Sequence, residues 1–331
     1  MSGRASRRVA VILNPAAGKG RGAKAEPLVR RAFAATGVTD VRLTEAAGGE
    51  QAAARRAIDD GADTLVAVGG DGTWGNVANA ILASGADVRL ALGAAGTGND
   101  FAKTVGAPAA DFAATARLAV DGPDARVDVG RIEDKHFLNV AGFGFDIAVI
   151  EDVAGSTWLS GQLAYPVSAL RQLFGYGGLP IAVASDGAVP GRATQHLMLV
   201  IANGRHFGGT FRIAPGAALT DGRLDAVAIG DAPALGRVRL FAAAARGTHA
   251  AHPEVRVEQA ADFTLVFPAP PAYETDGEYN QARSATLEVR CVPRALRVVT
   301  PLAAELERGA AAPGGASGGT ALGASAAGAL A

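Results

Sequence analysis

Gly69-Gly70-Asp71-Gly72-Thr73 sets one carboxylate among glycines, between the aliphatic run Thr64–Val68 and a segment of helical composition. Glycines let a backbone approach phosphate oxygens, and a helix N-terminus adds free N–H donors and the positive end of a dipole. A carboxylate there repels phosphates unless Mg²⁺ or a polar handle on a nucleotide stands between them. The other reading of this pentapeptide is a tight turn capped by Asp71. Two more loops share the plan. Asn14-Pro15-Ala16-Ala17-Gly18-Lys19-Gly20-Arg21-Gly22 follows the run Val9–Leu13, and Gly96-Thr97-Gly98-Asn99-Asp100 follows Val88–Leu92. The first is neither a Walker A loop, since no Ser or Thr follows Lys19, nor a complete G-x-G-x-x-G. Alone it reads equally well as a strand-to-helix turn. Three such loops on one sheet edge argue for an anion site.

The elements that must carry these loops alternate. Short strand-like runs (Val9–Leu13, Val41–Leu43, Thr64–Val68, Val88–Leu92) are separated by the helix-like segments Lys24–Thr36, Glu50–Asp60 and Thr73–Ser84. This pattern predicts βαβ units, a parallel sheet covered on both faces, and a ligand beyond the carboxyl ends of the strands. From Val127 the texture changes to strands at Val127–Ile132, His136–Val140, Pro180–Ala184, His196–Ile201, Leu224–Ile229, Phe263–Phe267 and Ala285–Val292. Asp186-Gly187, Asp221-Gly222 and Asp276-Gly277 supply turns. The second part therefore reads as a mostly antiparallel sandwich, with helical pieces near Leu159–Phe174 and Pro233–Gly247. The expected division is an α/β domain over 1–126, a β-rich domain over 127–300 and a C-terminal segment over 301–331. After about 308 that segment is Gly- and Ala-rich without charge, which predicts a flexible tail.

Composition closes off several classes. In 331 residues, 31 basic and 32 acidic side chains leave a formal charge of −1, which argues against a nucleic-acid binder. The single cysteine, Cys291, excludes an internal disulfide framework and reads as an inert small hydrophobe. The five histidines show no zinc spacing; His249 and His252 read as surface or capping residues. No run approaches the roughly 18 apolar residues of a membrane span, and Val9–Leu13 is too short for a signal-peptide core. A soluble, cytoplasmic protein is expected.

Taken together and in order, the three loops resemble the diacylglycerol kinase catalytic family, with its Asn-Pro and glycines, Gly-Gly-Asp-Gly-Thr and Gly-Thr-x-Asn-Asp. The resemblance continues through Asn139-Val140-Ala141-Gly142-Phe143-Gly144-Phe145-Asp146, Asn203-Gly204-Arg205-His206-Phe207-Gly208-Gly209 and Ile213-Ala214-Pro215. It ends with Asp221-Gly222-Arg223-Leu224-Asp225 and Asp276-Gly277-Glu278, and spans about residues 8 to 301. It implies an α/β nucleotide domain, a β-rich lipid-substrate domain with a cleft between them, and ATP-dependent phosphorylation of a lipid hydroxyl, diacylglycerol for example, with Mg²⁺. Gly69, Gly70, Gly72, Thr73, Gly96, Thr97, Gly98 and Asn99 would hold the nucleotide, with Asn14, Gly18 and Lys19 nearby. Asp71 would act at the phosphates or their metal, Asp276 as general base, and Asp221 in a structural metal turn. Asp100, Asp128 and Glu278 would complete an acidic network. The partners implied are the lipid and the inner face of the membrane, where the enzyme would sit peripherally, and a homodimer is compatible with all of this. A kinase of a soluble substrate such as NAD, and a lipid-binding pseudokinase, are the rival readings. Asn203–Gly209 and Ile213–Asp225 count against the first.

Two positions depart from the family pattern. Asn76 stands where a Glu is usual, three residues after Thr73, and Ala94-Ala95 stands where a Pro commonly precedes Gly96. Trp158, Leu159, Tyr165, Leu170 and Phe174 form an amphipathic stretch whose default reading is core packing. Its functional alternative is an acyl-chain pocket or a membrane-facing lip. Arg4, Arg7 and Arg8 read as solvated, or as contacts to anionic headgroups.

Overall fold

The computed structural model describes residues 7–45, 48–155 and 164–311. The chain divides into two compact units, one holding Met1–Val129, Ala218–Gly222 and Val292–Gly314, the other Gly130–Ala217 and Arg223–Cys291.

The first unit opens with β1 (Val9–Leu13), α1 (Ala17–Ala34), β2 (Val41–Leu43), α2 (Gly49–Asp59), β3 (Thr64–Gly69), α3 (Asp71–Ser84), β4 (Arg89–Ala94), α4 (Asp100–Thr104) and α5 (Phe112–Asp121). Strand β1 pairs with β2 and β3, and β3 with β4, all parallel. Every residue of β1, β3 and β4 is buried, which is why these runs are aliphatic throughout instead of alternating. The indole Nε1 of Trp74 donates to the Ala67 carbonyl at 3.0 Å, pinning α3 onto its own strand. The chain begins α1 seven residues before the expected Lys24. Gly18, Lys19 and Gly20 take left-handed conformations there, so the helix proper starts after a break.

The chain continues through β5 (Asp124–Ile132), β6 (Lys135–Phe137), β7 (Val140–Gly144), α6 (Phe145–Gly155), α7 (Ala164–Gly175), β8 (Leu179–Ser185), β9 (Thr194–Ala202), β10 (Leu224–Gly230), α8 (Ala234–Arg246), β11 (Val255–Ala260), β12 (Asp262–Val266), β13 (Ala272–Thr275), β14 (Glu278–Gln281), β15 (Thr286–Val299) and α9 (Ala303–Ala311). In the second unit, β14-β13-β7-β9-β10-β11 form one antiparallel sheet. β8, β12 and the start of β15 form the other, and β8 also reaches β9. Phe143, Leu199 and Ile201 of the first sheet meet Phe263, Leu265 and Val289 of the second in the sandwich core. Met198, Val200 and Ala202 point to the opposite face, in a cluster with Phe145, Leu173 and Leu240 of the helices. Strand β9 is thus buried on both faces, and its unbroken apolar run follows from that.

The segmentation differs from three consecutive stretches. Strand β15 pairs with β12 at Thr286–Arg290 and with β4 at Arg297–Val298, so its far end belongs to the first unit. Helix α9 extends to Ala311, three residues beyond Arg308, and its Leu306 carbonyl accepts from Thr220 Oγ1. The rest of the predicted tail lies outside the described residues, as do Arg4, Trp158 and Leu159. Among the described residues no helix is long and apolar enough to cross a membrane.

Candidate active site

In the first unit the three glycine loops meet. A Cβ on Gly96 would fall 2.5 Å from Gly70 Cα, so two of them touch backbone to backbone, a spacing only glycine permits. Arg21 of the first loop donates to the Gly96 carbonyl at 3.4 Å. Asn14 stabilises its own turn by accepting from the Ala16 N–H, and its Nδ2 donates to Glu50 Oε1 at 2.6 Å and Thr73 Oγ1 at 3.2 Å. Glu50 is almost wholly buried, and its Oε2 meets no donor among the described residues. Sequence reading missed it, since nothing local marks a helix-start glutamate as the clamp between two distant loops. Lys19 and Thr97 are exposed.

Asp71 begins α3 and accepts from the Phe101 N–H at 3.1 Å. Burial, then the charge of neighbouring Asp100, pushes its carboxyl up to about 6. A Cβ on Gly98 would lie 3.1 Å from Asp71 Oδ2 and 3.5 Å from Asp100 Oδ2, so both carboxylates converge on one point of the third loop. Asp100 also bonds Lys103 at 2.8 Å. Asn99, left-handed at φ 53, donates to the Gly96 carbonyl, and its buried Oδ1 has no donor among the described residues. Two converging oxygen ligands suit a hard divalent cation, and an orphaned acceptor suits a nucleotide N–H or O–H.

Asp128 has a different task. Its carboxylate accepts from the Gly222 and Arg294 N–H groups, each at 2.7 Å, and so builds the turn that presents Asp221. Burial, partly offset by these bonds, raises its pKa. No cluster of three His, Cys, Asp or Glu side chains gathers anywhere among the described residues, so a metal at Asp221 would need backbone carbonyls as further ligands.

The second unit assembles its own acidic centre. Asp276 and Gly277 are the two positive-φ residues (50° and 86°) of the hairpin joining β13 to β14. The Asp276 carboxylate accepts three backbone bonds, from Leu138 at 2.7 Å, Asn139 at 2.9 Å and Val140 at 3.1 Å. Asn203 Nδ2 donates to the Leu138 carbonyl, and Asn139 Nδ2 to the His206 carbonyl, so the quoted asparagine motifs lock this segment. Glu278 follows on β14, opposite Thr275. Glu274 Oε2 accepts from Gly277 N–H at 2.5 Å. A Cβ on Gly142, its cross-strand partner, would strike Asp146 Oδ2 at 2.1 Å and Glu274 Oε1 at 2.9 Å. The glycine therefore makes room for two carboxylates beside the turn that carries Asp276. Burial raises the Asp146 pKa strongly.

Comparison with known proteins decides the family. The diacylglycerol kinase catalytic domain matches residues 8–132, and the YegS C-terminal NAD kinase beta sandwich-like domain matches residues 139–300. A diacylglycerol kinase of Mycobacterium tuberculosis is 31% identical over 304 residues, covering 89% of this chain and 95% of that protein. The chain belongs to the diacylglycerol kinase family. The Bacillus subtilis diacylglycerol kinase is 27% identical over 73% of this chain and 80% of its own length. A solved diacylglycerol kinase structure from Bacillus anthracis shares the fold at a TM-score of 0.71 and 21% identity, covering 91% of this chain and all of that one.

Against the family pattern, Asn76 keeps a hydrogen-bonding role, its Oδ1 accepting from Gln51 Nε2 at 3.1 Å. Asn76→Glu should therefore change the transfer rate less than tenfold, about 1.4 kcal/mol of barrier. A steady-state assay showing a gain of several orders of magnitude would mean that the missing carboxylate cripples the native site. Two other readings need correction. His249 is fully buried, its Nε2 at 2.9 Å from the Ile213 carbonyl, and not a surface residue. Leu170 and Phe174 point to solvent while Leu173 packs inward, because helical periodicity identifies a stripe without saying what it covers.

Proposed function

We propose that the chain transfers the γ-phosphoryl group of ATP to the hydroxyl of a lipid such as diacylglycerol, giving a phosphatidate-like product, in the cytoplasm at the inner membrane face. The observation that carries this reading is a small apolar recess in the second unit. Leu197, Met198, Phe207, Phe211, Ile213 and Phe241 are among its walls, and no charged side chain lines it. Such a lining suits contact with hydrocarbon and offers a dinucleotide no polar partner.

Backbone N–H groups of the three loops would cradle the phosphates, with Asn99 Oδ1 accepting from the nucleoside. Asp71 and Asp100 would hold Mg²⁺, which supplies neutralisation of phosphate charge. The lipid oxygen attacks the γ-phosphorus, the bond to the bridging β,γ-oxygen breaks, and ADP leaves with that electron pair. Asp276, held rigid by its three N–H donors, orients the hydroxyl and takes its proton late in transfer. The experiment is a transfer assay offering labelled ATP and Mg²⁺ with a panel of lipid alcohols and NAD side by side. Label in a lipid supports the proposal. Label in NADP alone would replace it with the soluble-substrate reading.

A further inference from the structure

Helices α7 and α8 lie side by side in the second unit, tied by Arg237, whose guanidinium donates to the Leu173 and Tyr176 carbonyls at 2.9 and 2.8 Å. Their outward faces are inverted relative to ordinary surface helices, which turn polar side chains to water. On α7 the exposed stripe is Val167, Leu170, Arg171 and Phe174, with the three apolar residues 37%, 59% and 66% exposed. On α8 it is Leu235, Val238, Arg239, Ala242 and Arg246, with Leu235 and Val238 64% and 43% exposed. Five of the nine exposed large hydrophobic residues among those described thus sit on two neighbouring helices. Neither helix contains Asp or Glu, in a chain whose acids and bases otherwise balance. Arg171 pairs with Asp152 at 3.0 Å, so Arg239 and Arg246 carry most of the positive field of this face.

We infer that the α7–α8 face docks on an anionic phospholipid bilayer, its apolar side chains entering the acyl boundary and its arginines meeting headgroups. Apolar residues interleaved with arginine, on helices that themselves carry no acid although Asp152 and Asp231 border them, describe an interfacial surface, since each basic residue near an anionic leaflet adds attraction and each buried side chain adds hydrophobic transfer. The inner face of α8 makes the choice of occupant sharper. Leu240, Phe241 and Ala244 line the apolar recess, so the helix that would rest on lipid also forms one wall of that recess. The choice of a bilayer rests on the lipid-kinase reading, while the surface chemistry stands apart from it.

The test is co-sedimentation of the purified full chain, without nucleotide, with phosphatidylcholine vesicles and with vesicles containing phosphatidylglycerol. Wild type should partition onto the anionic vesicles and release as salt rises. The pairs Leu170→Asn/Phe174→Asn and Leu235→Asn/Val238→Asn should each weaken binding at least tenfold. Arg239→Gln/Arg246→Gln should remove most of the preference for phosphatidylglycerol. All of these positions are exposed, so melting temperatures should hold. Wild type that stays in solution, or variants that sediment as it does, would overturn the inference. So would sedimentation velocity showing a wild-type dimer that these variants dissolve, which would make the face a contact between two copies. No catalysis enters the measurement, so its failure is distinct from failure of the transfer assay.

Discussion

Asp276→Asn should lower kcat by about 10² or more, the scale of losing a general base, with ATP affinity largely intact. Asn tolerates the left-handed conformation and forms the favoured Asn-Gly hairpin with Gly277, so the turn itself survives. The donor set does not survive intact. Oδ1 accepts from Asn139 and Val140 and Oδ2 from Leu138, all inside the fold. An amide has one acceptor oxygen, so its NH₂ must face an N–H, most cheaply that of Leu138. That unsatisfied pair costs about 1–3 kcal/mol of stability. The variant should therefore melt earlier as well as react slowly. Single-turnover transfer, performed well below the variant's melting point and beside calorimetric ATP titration, separates the two effects. Near-normal transfer would remove Asp276 as the base and bring forward Glu278. Lost ATP binding would mean a defect wider than one proton acceptor.

What was legible in the sequence was what is local. The three loops announce themselves because glycine, proline and asparagine punctuate the ends of aliphatic runs, and the Asp-Gly hairpins do the same for the sandwich. Contacts made by distant segments left no such mark. Glu50 joins Asn14 to Thr73 only once α2 and α3 have packed, and Gly142 opposes Glu274 and Asp146 only through the β7–β13 register. Strand β11 went unseen because Arg256, Glu258 and Gln259 dilute its apolar pattern, and β13 and β14 because four residues carry too little period. The same limit explains α7. Its amphipathy was visible, yet the hydrophobic stripe reads identically whether core, cavity or lipid lies against it. Among these divergences, Glu50 lies between two of the glycine loops, Gly142 with its two carboxylates lies beside the Asp276 turn, and the last is the outward face of α7.

Asp71→Asn should abolish or cripple transfer and, in the same protein without nucleotide or metal, raise stability above pH 6. The first half follows from the proposed role, since losing one preorganised electrostatic partner of a transition state costs on the order of 10²–10³ in rate, as for a single oxyanion-hole donor. The second follows from burial. Asp71 is lifted from its ordinary 3.8 to about 6, chiefly by desolvation and then by the charge of Asp100. A carboxyl whose folded pKa is raised gives stability that is complete below the unfolded value and lost as pH rises through the folded one. Wild type should lose that contribution between about pH 4 and pH 6 and carry a strained carboxylate above it. Asn cannot titrate, so the melting temperature of the variant minus that of wild type should grow across this window and then level. Mg²⁺ reverses the comparison. A cation between Asp71 and Asp100 favours their charged forms and should stabilise wild type at pH 8 while helping the variant less. The check is a grid of melting curves for both proteins at several pH values, with and without Mg²⁺, beside ATP titrations. A stability difference that ignores pH would place the strain of this loop elsewhere. Equal stabilisation of both proteins by Mg²⁺ would exclude Asp71 as one of its ligands.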